Sequence, residues 1–161
     1  MNNDINTPIV RCIDAHICTI KNNKPKFLIL KRSENKRYPL IWQCVTGKIK
    51  ENENPVSAAL REILEETSLV PKKVWGLDFM NFYFDPNNNT TNMIPVFGAL
   101  VDSNKVTLSD EHISFKWVSI DEGKNKLLWN NQAKGMIEFQ NLLLPNNSIK
   151  RGLLEIDLNL L

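Results

Sequence analysis

GKIKENENPVSAALREILEETSL, residues 47–69, carries a helix whose ends and faces are both readable from residue type. Asn54 followed by Pro55 is a strong start: an Asn side chain accepts from the orphan amides as N-cap, and proline at the first helical position loses no needed donor. The helix is expected from Pro55 to about Thr67. Val56, Ala59, Leu60 and Ile63 recur at i, i+3, i+4 and i+7 and form one apolar stripe. Ala58, Glu62, Glu65 and Glu66 line another face, so the expectation is core on one side and carboxylates on the other.

Outward from this helix, the chain alternates strand and turn signals. Ile9 to Ile20 reads as a long strand rich in β-branched residues, and Asn22-Asn23 ahead of Pro25 reads as a hairpin turn. Phe27 to Leu30 is a continuous apolar run, as in a strand covered on both faces, and Lys31 to Arg37 reads as a loop. Trp42 to Thr46 is a short strand expected to stop at Gly47, followed by a charged connection, Lys48 to Glu53. Trp75 to Phe84 and Met93 to Val101 are strands separated by the asparagine-rich loop Asp85 to Asn92, and Phe115 to Val118 is a further strand. Asn131 to about Leu143 suits a second helix, broken by Pro145-Asn146-Asn147. The apolar tail, Gly152 to Leu161, fits an edge strand, a short helix or a dimer contact.

The 161 residues, 42% hydrophobic and 24% charged, suit one α/β or α+β domain over residues 1–161, with no repeat or linker to divide it. Twenty Lys and Arg against 18 Asp and Glu leave a net charge of +2, which argues against a nucleic-acid wrapper or a polybasic membrane binder. Cys12, Cys18 and Cys44 lack CxxC spacing, and His16 and His112 are too few for a zinc cluster. Free thiols in a reducing compartment are expected. The start of the chain shows no basic segment followed by an apolar core, and no stretch approaches the ~20 apolar residues of a membrane span, so the expected location is the cytoplasm.

Glu62, Glu65 and Glu66 share one helix face at spacings where each like-charge pair costs roughly 0.2–0.5 kcal/mol. They also sit at the end of the helix where the macrodipole disfavours anions. A hard divalent cation with oxygen ligands would compensate both penalties, whereas a solvated acidic face with Arg61 as partial counterion is the plainer alternative. Gly47, Glu53, Arg61, Glu62, Glu65 and Glu66 settle the choice. They fall in the pattern G-x5-E-x7-R-E-U-x-E-E-x-G-U, with Ile63 and Leu69 at the U positions. This resembles the Nudix box of the Nudix hydrolases, with one departure: Ser68 stands where that family has glycine at the helix end. A glycine there would relieve a positive φ, so serine implies local strain or a shifted helix terminus.

The resemblance implies an α/β/α sandwich around a mixed β-sheet, Mg²⁺ (or Mn²⁺) as cofactor, and hydrolysis of a nucleoside diphosphate linked to another group. Such a substrate is polyanionic, and divalent ions screen its oxygens and acidify the attacking water. By resemblance, Glu62, Glu65, Glu66 and the carbonyl of Gly47 would hold metal, while Glu53 and Arg61 would brace the loop and helix. Arg61 is expected to be structural and to point away from Glu65. Gly47 fits either a turn or a close approach of backbone to cation.

Trp42 to Gly47 and Asp110 to Trp117 are similar to the corresponding segments of the family's bacterial dihydroneopterin triphosphate pyrophosphatase (dATP pyrophosphohydrolase) branch, and the Asn131-Gln132-Ala133 helix start agrees. That likeness makes Glu111 a metal ligand or water-activating base outside the box, catalytic together with Glu62 and Glu65. His112 is then structural or substrate-adjacent, since Mg²⁺ prefers oxygen. Arg32 and Arg37, with Lys31 near them, could clasp outer phosphates because guanidinium forks match phosphate geometry. Trp42, and less strongly Phe82 and Tyr83, could stack on a purine or pterin. The expected substrate is a nucleotide or pterin triphosphate, cleaved to a monophosphate and pyrophosphate, by a monomer or homodimer that binds neither nucleic acid nor membrane. Two alternatives remain: a dinucleoside polyphosphate or nucleotide-sugar hydrolase, and a non-catalytic nucleotide-binding module.

Overall fold

β1 (Cys12–Lys21) and β2 (Lys24–Arg32) pair antiparallel as a hairpin. Asn22 and Asn23 both take positive φ, 51° and 58°, the left-handed pair that a two-residue hairpin turn requires and that asparagine tolerates. The computed structural model describes residues 8–160; the polar lead at residues 1–7 and Leu161 at the end of the tail lie outside the described residues. After β2 come β3 (Trp42–Gln43), β4 (Val45–Lys48), α1 (Pro55–Thr67), β5 (Lys73–Asp85), β6 (Thr90–Leu100), β7 (His112–Val118), α2 (Ile120–Lys126), α3 (Asn130–Leu143) and α4 (Ser148–Leu154).

These strands form one seven-stranded mixed sheet. β1 runs parallel to β6 on one side; on its other side it pairs antiparallel with β2 through Cys18–Lys21 and with β4 through Cys12–Ala15. Two core clusters cover the two faces. Ile13, Ala15 and Ile17 of β1, with Leu28 and Leu30 of β2, pack with Ala59 and Ile63 of α1. Phe27 and Ile29, the alternate residues of the same strand, pack with Met136 and Phe139 of α3. Helices on both faces explain the unbroken apolar run of β2 and make the molecule the expected α/β/α sandwich.

The helix at Pro55–Thr67 has the expected bounds, and the Asn54 side chain accepts from the Ser57 amide at 2.9 Å. Several expectations are corrected. β1 begins at Cys12, with Ile9 held only by a bridge to Asn92. Arg32 belongs to β2, because β7 pairs with it there. The strand expected to stop at Gly47 breaks at Cys44 and continues to Lys48, so Gly47 lies within a strand opposite Ile13. The β5–β6 connection is a short turn, with strand pairing resuming at Thr90. Helix α2 was not foreseen, although Ser119 caps it by accepting from the Glu122 amide, the S-x-x-E signature of a helix start. Of the tail, Gly152 to Leu154 end α4, and beyond them Glu155 bridges Trp75 and Ile156 donates to the Val74 carbonyl at 2.9 Å, an edge contact that ties this segment to β5. Among the described residues no helix is long and apolar enough to cross a membrane.

Candidate active site

The carboxylate face of α1 is graded in burial: Glu65 is half-exposed at its side chain, Glu62 is partly covered and Glu66 is enclosed. Ala58 is fully buried and Glu66 is only 3% exposed. The reason is long-range: beyond β6 the chain wraps the end of α1, with the Thr107 amide donating to the Thr67 carbonyl at 3.0 Å and the Ser109 amide to that of Glu66 at 3.4 Å. This wrap carries Glu111 and His112 to the same end of the helix.

Glu62 is tucked between α1 and β4. A Cβ on Gly47 would fall within the space of the Glu62 carboxylate, so Gly47 is present for close approach and not for a turn. Burial raises the Glu62 pKa above the usual carboxylate range, partly offset by Arg61. Glu66 is driven much higher, first by burial and then by the negative charges of Glu62 and Glu111; its Oε2 has no hydrogen-bond partner.

Arg61 saturates its five N–H donors. Nε and Nη2 grip the two Glu53 oxygens at 2.7 and 2.9 Å, Nη2 also reaches the Lys48 carbonyl at 2.9 Å, and Nη1 bridges Glu62 Oε1 at 2.6 Å and Glu65 Oε2 at 3.1 Å. Arg61 thus links Glu53 and the Lys48 carbonyl to α1, and it holds the Glu53 pKa down at about 2. The expectation that Arg61 points away from Glu65 is overturned: the i, i+4 spacing on one face lets the long side chain reach it. Among the described residues no three His, Cys, Asp or Glu side chains converge as ready-made ligands, since the guanidinium stands between Glu62 and Glu65.

Ser68 takes the family glycine's backbone role with φ 57° and ψ 18°, and its amide closes the helix on the Leu64 carbonyl. Glu111 sits at the rim, 44% exposed at its side chain, with Lys36 Nζ 3.6 Å away. His112 is enclosed, between Glu66 and Gln43, and burial together with Arg32 lowers its pKa to about 4. Sequence reading did not single out Gln43 or Lys36; neither carries a local signal.

Of the basic candidates, Lys31 and Arg32 end β2 and Arg37 lies on the β2–β3 loop. Arg32 Nε donates to the Arg37 carbonyl at 2.9 Å, and the Arg37 guanidinium sits 4.8 Å from the centre of the Tyr38 ring. Tyr38 in turn meets Trp129 edge to face at 5.4 Å. Trp42 is half-buried against the α3-side core, with Lys116 Nζ 5.7 Å from its ring centre, which leaves Tyr38, Trp129 and the exposed Phe82 and Tyr83 as the more accessible aromatic surface.

The family model described as the NUDIX domain matches residues 11–139, which include the carboxylate-bearing helix and the strand glycine it is docked on. The chain belongs to the Nudix family. It is 27% identical over 113 residues to "Nudix hydrolase 5" of Arabidopsis thaliana, an alignment covering 70% of this chain and 36% of that protein. The chain spans about a third of the length of the curated relatives it matches. Among solved structures, a C. elegans Ap4A hydrolase binary complex superposes with a TM-score of 0.71 at 21% identity, covering 84% of this chain and 98% of that one. The E. coli dihydroneopterin triphosphate pyrophosphohydrolase gives 0.65 at 20% identity, covering 82% and 94%. At these identities the two structures establish the fold alone.

Proposed function

We propose that this protein is a Mg²⁺-dependent pyrophosphohydrolase, with Mn²⁺ able to substitute, that cleaves a nucleoside triphosphate or dihydroneopterin triphosphate to a monophosphate and pyrophosphate. The observation that carries the reading is the Glu66 carboxylate: almost wholly buried, one oxygen without a partner, and set against Glu62 and Glu111. A buried carboxylate oxygen with no partner, beside two further carboxylates, is costly, and a divalent cation with oxygen ligands is the group that fits it. Glu62, Glu65, Glu66 and the Gly47 carbonyl would hold it. When bound, the metal would screen the phosphate oxygens and acidify the attacking water.

The protein's own residues do the rest. Glu111 takes the proton as water forms its bond to phosphorus and the bridging phosphoanhydride bond breaks, the pyrophosphate leaving with the bridging oxygen. Arg32 and Arg37 hold the outer phosphates, and the aromatic surface at Tyr38 and Trp129 receives the flat ring of a purine or pterin. The three cysteines are free thiols, which accords with residence in the cytoplasm. A panel of nucleotides, dihydroneopterin triphosphate, a nucleotide sugar and a dinucleoside tetraphosphate, assayed with Mg²⁺, tests this. Pyrophosphate release from a triphosphate supports the reading. Selective turnover of the dinucleoside tetraphosphate or the sugar moves the protein to the alternative class, and binding without turnover makes it a nucleotide-binding module.

A further inference from the structure

We infer that His112, braced by Gln43, is a positioning residue that aims the Glu66 carboxylate into the metal site. The inference rests on the metal reading above and deepens it. His112 opens β7 opposite Arg32, and its imidazole is fully enclosed, with Nε2 4.0 Å from Glu66 Oε2 and 3.4 Å from the Gln43 amide nitrogen. Two backbone bonds fix the relation between the elements: the His112 amide donates to the Ser109 carbonyl at 3.3 Å, and the Ser109 amide donates to the carbonyl of Glu66 itself at 3.4 Å. The ring is therefore carried on a segment tied to the helical turn that bears the carboxylate it faces.

Glu66 Oε2 and His112 Nδ1 are both buried without partners. A carboxylate that gives one oxygen to a cation leaves the other in need of a donor, and a neutral imidazole supplies a directional N–H without adding a competing positive charge. With the Gln43 amide turned so that its oxygen faces the ring, the single imidazole proton is held on Nε2; a shift of the ring by about 1 Å passes that N–H from Gln43 to Glu66, so Gln43 selects the tautomer and Glu66 receives the bond.

Mn²⁺ binding to the whole protein, measured by calorimetry in the absence of substrate, tests this apart from turnover. His112→Phe keeps a ring and removes the donor; it should weaken Mn²⁺ binding by roughly 10- to 100-fold. His112→Gln, which restores an N–H, should recover most of the loss. Gln43→Leu should weaken binding in the same direction by less, and carries the test if His112→Phe does not fold. Affinity within twofold of wild type in His112→Phe, or in Gln43→Leu where that variant stands in, overturns the inference, as does a His112→Gln protein as weak as His112→Phe. If Mn²⁺ binding is lost in Glu66→Gln but untouched in His112→Phe, the positioning role alone fails. If wild type binds no Mn²⁺, or Glu66→Gln binds it unchanged, the metal reading and this inference fall together.

Discussion

A Cβ at Gly47 would lie 2.0 Å from the carboxyl carbon of Glu62. The backbone at Gly47 is not in the positive-φ region, so alanine would be conformationally acceptable but for that carboxylate. Gly47→Ala should therefore displace Glu62, lower Mg²⁺-dependent turnover by at least an order of magnitude, and cost about 1–3 kcal/mol of stability through overpacking. The cause is separable. In a Glu62→Ala background the stability cost should largely vanish, because the clashing group is gone; equal costs in both backgrounds, measured by denaturant titration, would show that Glu62 is not what excludes the side chain.

Glu65→Gln and Glu66→Gln should each reduce turnover by orders of magnitude without unfolding the protein, yet their metal-free stabilities should diverge. Glu65 is half-exposed and paired with Arg61 and, at 3.6 Å, with Lys50, so its loss should change stability by no more than about 1 kcal/mol. Glu66 is buried with a raised pKa, so the folded state binds its proton more tightly than the unfolded chain does. Its contribution is thus favourable below pH 4.5, the unfolded value, and is lost as the pH rises towards the folded pKa. Glu66→Gln should accordingly raise the melting temperature near pH 7 and flatten this dependence. Near wild-type activity of both variants at subsaturating Mg²⁺ would remove them from the metal site.

The helix at Pro55–Thr67 and the Asn22-Asn23 turn were legible because cap, period and turn chemistry are local. The burial of Glu66 was not, since it depends on residues some forty positions later folding over the helix end, and no local pattern encodes that. Arg61 is the intermediate case. Its i, i+4 relation to Glu65 was available from spacing, but the reach of a long side chain was underestimated. Nor could sequence foresee that Tyr38 and Leu40 take φ of 55° and 61°, which bulky residues rarely adopt. That conformation is set by loop closure, with the Leu40 amide donating to the Arg32 carbonyl and the Arg32 amide to that of Ile41.

Ser68 provides a stability test at the single departure from the box pattern. Its left-handed φ of 57° carries a Cβ penalty, and its hydroxyl makes only a 3.5 Å contact with the Thr107 carbonyl. Ser68→Gly should stabilise the protein by about 1 kcal/mol while leaving turnover little changed. A lower melting temperature for the glycine variant would mean that the hydroxyl contact outweighs the strain.

His16 should make the protein acid-sensitive. It is 1% exposed, neither ring nitrogen has a partner, and burial lowers its pKa from 6.5 to about 3. The unfolded chain therefore binds a proton that the folded protein refuses, so stability is full above pH 6.5 and falls as the pH drops towards 3, by up to about 1.4 kcal/mol per unit. His112, with its pKa lowered to about 4, contributes in the same direction. His16→Leu should shrink the stability difference between pH 7 and pH 5 by about 2 kcal/mol. An unchanged difference would assign the acid sensitivity to other groups.

Glu111 should act on the chemical step. Its backbone carbonyl accepts from the Ser33 amide at 2.9 Å, and Ser33 Oγ donates to the Asp110 carbonyl at 2.7 Å, so this segment is pinned where β2 ends at Arg32 and the loop bearing Arg37 begins. The side chain itself is held only by Lys36 at 3.6 Å and lies close enough for its charge to raise the pKa of both Glu62 and Glu66. A weakly held rim carboxylate beside the buried set can swing to the attacking water without breaking a strong bond. Because it would serve proton transfer and developing charge, not nucleotide binding, Glu111→Gln should lower kcat strongly with little change in KM. Raising the pH should recover part of the rate by supplying hydroxide without a base. A matched loss in KM would make Glu111 a binding residue, and a substrate complex with its carboxylate more than about one bridging water from Glu62, Glu65 and Glu66 would exclude the role altogether.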